Sequence, residues 1–157
     1  MKSWIILALF LIPFDSYSFE LYLTRHFEKQ ADIPNPELTE HGKKRAIALA
    51  EFIADKNITH IYSTDYLRTK QTVEPAIQQL ELSMSLYDPK QLVDFASELL
   101  SKKQTALVVG HSNTTPELIS LLGGKATKMT ENDYGELFIL RISGSHITTD
   151  KILIEAK

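Results

Sequence analysis

Apolar positions along the chain alternate between two periods, and that alternation predicts the architecture. Glu20-Leu21-Tyr22-Leu23-Thr24-Arg25-His26 is a run of bulky apolar and aromatic residues that stops abruptly in two polar side chains, the pattern of a buried strand. Pro34, Asn35 and Pro36 forbid a regular element between Gln30 and Glu40, so a loop leaves that strand. From His41 to Asn57, Ala46, Ile47, Leu49, Ala50 and Ile53 share one face at helical spacing, which predicts an amphipathic helix. Thr59 to Ser63 reads as a second strand. Thr64 or Asp65 then caps a helix that carries Tyr66, Leu67, Val73, Ile77 and Leu80 inward, with a kink or break at Pro75.

Leu82 to Tyr87 predicts a third strand closed by Asp88-Pro89, and Gln91 to Lys102 a helix with Leu92, Phe95, Leu99 and Leu100 inward. Thr105 to Val109 is the most apolar strand and ends in Gly110-His111, a second strand that delivers a histidine. Thr114 or Thr115 caps a short helix with Pro116 in its first turn, and Gly123-Gly124 stops it. After a polar loop from Lys125 to Tyr134, Glu136 to Ile142 and His146 to Ile154 form a hairpin around Ser143-Gly144-Ser145. This order implies an α/β fold of three layers, α/β/α, with a mostly parallel central sheet and a C-terminal antiparallel hairpin. The carboxyl ends of parallel strands face one way, so Thr24-Arg25-His26, Ser63-Thr64 and Gly110-His111 meet in one cleft.

Composition narrows the chemistry. The 157 residues suffice for one domain with a sizeable core, and a net charge of -3 gives no electrostatic footprint for nucleic acid. The chain has no cysteine, which excludes thiol catalysis, disulfides and cysteine zinc sites. Lys2, the apolar segment Trp4 to Phe14 and the small residues of Ser16-Tyr17-Ser18 form a signal-peptide pattern. Residues 1–18 are expected to be removed, leaving 19–157 as one domain that is periplasmic or secreted and not held in the membrane. Pro13 and Asp15 argue against an uncleaved anchor.

Four spaced pieces carry the candidate chemistry: Leu23-Thr24-Arg25-His26-x-Glu28-Lys29, Leu38-Thr39-x-x-Gly42-x-x-x-Ala46, Ile61-Tyr62-Ser63-Thr64-x-x-x-Arg68-Thr69-x-Gln71-Thr72, and Val108-Val109-Gly110-His111-Ser112-Asn113. In this order they resemble the histidine phosphatase superfamily, the phosphoglycerate mutase-like proteins. The resemblance implies that His26 attacks phosphorus and becomes a phosphohistidine, while Arg25, Arg68 and His111 surround the phosphoryl group without a metal or other cofactor. Two guanidiniums and an imidazole suit a group whose charge spreads over three oxygens. His26 must then present a neutral nitrogen, with a backbone carbonyl the expected partner of the other. Arg68 is expected to reach back to the cleft while Leu67 packs inward.

The proton donor for the leaving oxygen stays open between Asp88, Glu28 and none, since good leaving groups such as phosphohistidine need no strong acid. Ser112 and Asn113 are candidates for binding the phosphate or substrate hydroxyls, and Thr114 for capping. Phe27 stands where the family has a small residue, and is expected to narrow the mouth or wall it. His41, His60 and His146 are scattered, which gives no metal spacing, and Gly123-Gly124-Lys125 lacks the upstream glycine of a P-loop. The expected function is a metal-independent phosphomonoester or phosphohistidine phosphatase, a monomer or weak dimer, acting on a small phosphorylated substrate or a phosphorylated envelope glycan. The alternative is a phosphate-binding module on the same fold that does not turn over.

Overall fold

A computed structural model describes residues 18–157. The signal-peptide assignment falls, apart from Ser18, outside the described residues. The chain runs β1 (Ser18–Arg25), α1 (Glu40–Ile53), β2 (His60–Ser63), α2 (Leu67–Leu80), β3 (Met84–Leu86), α3 (Leu92–Lys102), β4 (Ala106–Gly110), α4 (Thr114–Leu121), β5 (Glu136–Ser143) and β6 (His146–Leu153). These strands form one six-stranded sheet in the order β3-β2-β4-β1-β5-β6. Pairings among β1, β2, β3 and β4 are parallel, whereas β5 runs antiparallel to both β1 and β6. The expected α/β architecture is therefore the one observed.

Alternation along β1 divides the core between the two faces of the sheet. Phe19, Leu21 and Leu23 point to the face covered by Leu92, Phe95 and Leu99 of α3 and Leu118 and Ile119 of α4. Tyr22 points to the face covered by Leu49 and Ile53 of α1 and Val73 and Ala76 of α2. A strand buried on both faces has no room for a polar side chain until it ends. Glu20 stands near the amino-terminal end of β1, paired with Arg141, and the next charged group, Arg25, stands at its carboxyl edge.

Local departures from the expected elements have physical causes. One continuous helix passes through Pro75, because Val73 and Ala76, both fully buried on either side of it, anchor the two halves against the sheet. Neither Thr64 nor Asp65 caps α2; Tyr66 holds that position without a side-chain bond, since Thr64 is turned inward to other partners. Asn113 holds the cap position of α4, and the Thr114 hydroxyl instead accepts from the His111 N–H at 3.1 Å. Ile47 and Leu67 are exposed rather than inward. Asn57 has a left-handed φ of 54° and lies in the turn after α1, which ends at Ile53.

The second sequence piece explains itself as a clamp on the segment after His26. Thr39 caps α1 by accepting from the Gly42 N–H, and its own N–H donates to the Glu28 carbonyl at 2.8 Å. The helix start is so close that a Cβ on Gly42 would lie 2.4 Å from that carbonyl oxygen. Alanine is the better helix former by about 1 kcal/mol, but a clash with backbone cannot be relieved by a side-chain rotation. Gly42→Ala is expected to destabilise the protein by about 1–3 kcal/mol in urea denaturation; an unchanged or raised midpoint would contradict the clamp.

Candidate active site

The site forms where β1, β2 and β4 end together. Arg25 pairs with Gly110 as the last rung of β1 and β4, and the next N–H, that of His26, donates to the Gly110 carbonyl at 2.9 Å. Gly110 is required there, because a Cβ would meet the Tyr87 hydroxyl at 2.7 Å and the Thr115 and Thr114 hydroxyls at 3.0 and 3.1 Å. The rings of His26 and His111 lie 5.6 Å apart between centroids. Arg68, in the first turn of α2, brings Nη2 to 3.4 Å from His111 Nδ1.

Hydrogen bonding fixes both imidazole tautomers. His26 Nδ1 lies 2.8 Å from the Phe27 carbonyl, which only accepts, so Nδ1 carries the proton and Nε2 keeps its lone pair. A guanidinium only donates, so His111 Nδ1 accepts from Arg68 and its Nε2–H donates to Thr64 Oγ1 at 2.9 Å. Thr64 in turn contacts Thr69 Oγ1 at 3.0 Å, which ties the histidine to the start of α2. Burial pushes His26 down to about 3, with Arg25, Arg68 and His111 adding to the shift. Burial likewise lowers His111 to about 4, aided by Arg68 and Arg25.

The cations are held with donors to spare. Arg25 is 1% exposed; its Nη1 donates to the Thr130 and Asp133 carbonyls at 2.8 and 3.1 Å, and its guanidinium lies 4.2 Å from the Tyr134 ring centroid. Arg25 Nε and Nη2 and Arg68 Nε are buried without a hydrogen-bond acceptor among the described residues. Buried donors of this kind are costly unless something accepts from them. Burial lowers the Arg68 pKa from its ordinary value. Arg68 also lies over Tyr66, 4.5 Å from its ring centroid.

A cavity of about 330 Å³ opens here, lined by His26, Arg68 and His111 together with Lys29, Tyr66, Lys90, Ser112, Asn113 and Glu131. Ser112 and Asn113 thus sit at the cleft. Asp88 does not line it: its carboxylate accepts from the Lys90 N–H at 2.9 Å in a turn. Glu28 points elsewhere too, gripping Arg45 through Nε at 3.1 Å and Nη2 at 2.6 Å. Burial raises the Glu28 carboxyl, but the Arg45 hydrogen bonds and charge carry it below its ordinary value. Phe27 neither narrows nor walls the mouth. Its ring is fully buried in the α1 and α2 layer, and its N–H donates to Thr72 Oγ1.

The loop of residues 125–134 contributes most of what the sequence did not announce. Thr130 and Asp133 hold Arg25 by their carbonyls, Tyr134 covers it, and Glu131 approaches its Nη2 at 3.6 Å. Backbone acceptors leave no residue signature, and a polar loop has no period. Thr64 was visible as a possible cap and as a strand-end residue at the cleft, but not as the partner of His111.

Because the unfolded chain protonates its histidines below about 6.5 while His26 and His111 stay neutral down to about 3 and 4, unfolding takes up protons in that window. Stability therefore falls as pH drops from 6.5 towards 4. Urea denaturation at pH 7 and pH 5 is expected to show a smaller loss for His26→Gln than for wild type, and nuclear magnetic resonance to find both imidazoles neutral at pH 5. A charged His26 at that pH would contradict the tautomer assignment.

A family model described as the histidine phosphatase superfamily (branch 1) matches residues 21–89, the segment that holds Arg25, His26 and Arg68. Among solved structures, the protein histidine phosphatase SixA complexed with tungstate is similar at a TM-score of 0.71 and 16% identity, covering 86% of this chain and 97% of that one. Bacillus stearothermophilus YhfR is similar at a TM-score of 0.65 and 15% identity, covering 86% of this chain and 96% of that one. The mycobacterial glucosyl-3-phosphoglycerate phosphatase is similar at 0.57 and 15% identity, covering 89% and 100%. A search of curated protein sequences finds no match. The family model thus lies on the segment that holds three of the four clustered side chains, and the fold is shared over nearly the whole length of these structures.

Proposed function

We propose that the protein is a phosphatase that works through a phosphohistidine on His26, on small phosphorylated substrates, without a metal. The observation that carries this reading is the set of buried guanidinium donors on Arg25 and Arg68 that have no acceptor among the described residues, beside a neutral His26 whose Nδ1–H is tied to the Phe27 carbonyl. A tetrahedral oxyanion supplies the acceptors those donors lack. His26 Nε2 donates its lone pair to phosphorus, while Arg25 and Arg68 hold the equatorial oxygens and gain strength as charge builds there.

Size and charge favour a compact anionic substrate. The cavity, about 330 Å³ and bordered by Lys29 and Lys90, fits a phosphorylated sugar or similar phosphomonoester. Export completes the reading: a leader of residues 1–18 would make the domain periplasmic or secreted, where phosphorylated envelope glycans are substrates of the right chemistry. The solved structures of this fold include a protein histidine phosphatase and a glucosyl-3-phosphoglycerate phosphatase, so a phosphohistidine substrate is the alternative within this class.

Rapid quench with labelled 4-nitrophenyl phosphate is expected to trap a phosphoenzyme on wild type and none on His26→Ala, with turnover unchanged by chelator. Arg68→Ala is expected to lose roughly 100- to 1,000-fold in kcat. Tight phosphate binding with no turnover on a broad panel would instead favour a binding module. Amino-terminal sequencing of the secreted or periplasmic fraction is expected to start at Phe19; retention of residues 1–18 would overturn export.

A further inference from the structure

We infer that Glu131 is a catalytic residue, the group that hands a proton to the leaving oxygen and then takes one from the attacking water. The inference rests on the phosphohistidine reading above. Among the described residues, Glu131 is the one carboxylate that lines the cavity shared by His26, Arg68 and His111. Its position is built rather than incidental: Oε1 accepts from the Ser112 hydroxyl at 2.7 Å, and Oε2 lies 3.6 Å from Arg25 Nη2. The two carboxylates nearest in sequence logic are committed elsewhere, Glu28 to Arg45 and Asp88 to the Lys90 N–H.

Exposure separates Glu131 from the nucleophile. In an in-line displacement the leaving oxygen departs opposite the nucleophile. His26 is 3% exposed, whereas the Glu131 side chain, which lines the same cavity, is 73% exposed. Ser112 and its neighbouring carboxylate therefore stand towards solvent, the side on which an ester oxygen displaced by His26 would leave and the attacking water would later enter. An exposed carboxyl also exchanges protons with solvent between turnovers.

Charge explains how one group serves both half-reactions. In the free site the Ser112 hydrogen bond, opposed by a slight burial and helped by Arg25, Lys29 and Arg68, holds the Glu131 carboxyl below its ordinary value. A bound phosphoryl dianion cancels that positive field and favours the protonated acid. In the first step the His26 Nε2–P bond forms, the P–O ester bond breaks, and the Glu131 proton goes to the ester oxygen to release the alcohol. In the second, water oxygen bonds to phosphorus, its proton goes to the Glu131 carboxylate, and the P–N bond breaks to release phosphate and neutral His26. Phosphorus, oxygen and proton are conserved across the pair of steps.

Leaving-group dependence tests this directly. Purified full chains of wild type, Glu131→Gln and Glu131→Ala are compared on 4-nitrophenyl phosphate, whose leaving group needs no proton, and on glycerol phosphate, whose leaving group does. Both variants are expected to lose roughly 100-fold or more on the alkyl ester and much less in the formation of phosphoenzyme from the aryl ester. Equal losses on both esters, no loss, or a gain in rate would overturn the assignment, a gain marking Glu131 as a mere competitor for the phosphate site. Tungstate binding by each variant confirms that the site is intact. Failure of the wild type to form any phosphoenzyme on His26 would instead overturn the underlying reading, which separates the two outcomes.

Discussion

The whole arrangement depends on keeping the Arg25 guanidinium charged where it is almost completely excluded from water. A buried cation is unfavourable unless polar groups replace its hydration. Here the Thr130 and Asp133 carbonyls and the Tyr134 ring face supply part of that replacement. Beyond the Glu131 carboxylate 3.6 Å from Nη2, the remainder is unsupplied, since Nε and Nη2 find no hydrogen-bond acceptor among the described residues. The fold thus holds a positive group with buried donors left open, the preorganisation that the proposed phosphoryl transfer would use.

That cation could not be held without a rigid frame behind it. Arg25 occupies the last rung of the pairing between β1 and β4, at the centre of the sheet, and the segment after it is pinned by Glu28, Thr39 and Gly42. On the other flank, Thr72 Oγ1 accepts from the Phe27 N–H and donates to the Arg68 carbonyl at 2.7 Å. One hydroxyl therefore couples the two segments that carry His26 and Arg68. Gln71 adds a second stitch by accepting from the Leu38 N–H at 2.7 Å. Several of the spaced sequence pieces turn out to be scaffolding of this kind, and the proposed chemistry falls to Arg25, His26, Arg68, His111 and the rim.

The fold was legible in the sequence because burial imposes a period. Strands buried on both faces read as apolar runs, and the helices α1 and α3 read as stripes, so the layer order followed. Convergence of Arg25, His26, Arg68 and His111 followed from strand ends facing one way. What the sequence did not disclose was which backbone groups hold the site, namely that the carbonyl expected on His26 is that of Phe27 and that the Thr130 and Asp133 carbonyls hold Arg25, nor the inward turn of Phe27. Asp88 drew attention through its place after a strand, yet a turn before proline uses the same residue for a local hydrogen bond. Glu131 escaped notice because an aperiodic polar loop carries no pattern that separates a site residue from a solvated one.

The most direct measurement is a crystal structure of the protein with tungstate, read together with the binding affinity of His26→Ala and Arg25→Ala for the same anion. The tungstate is expected against His26 Nε2, beside His111 and with oxygens on Arg25 Nη2 and Arg68 Nε, and with affinity lost in the arginine variant. Tungstate bound away from these four side chains, or held equally well without the Arg25 guanidinium, would contradict the convergence of buried cations on a single oxyanion.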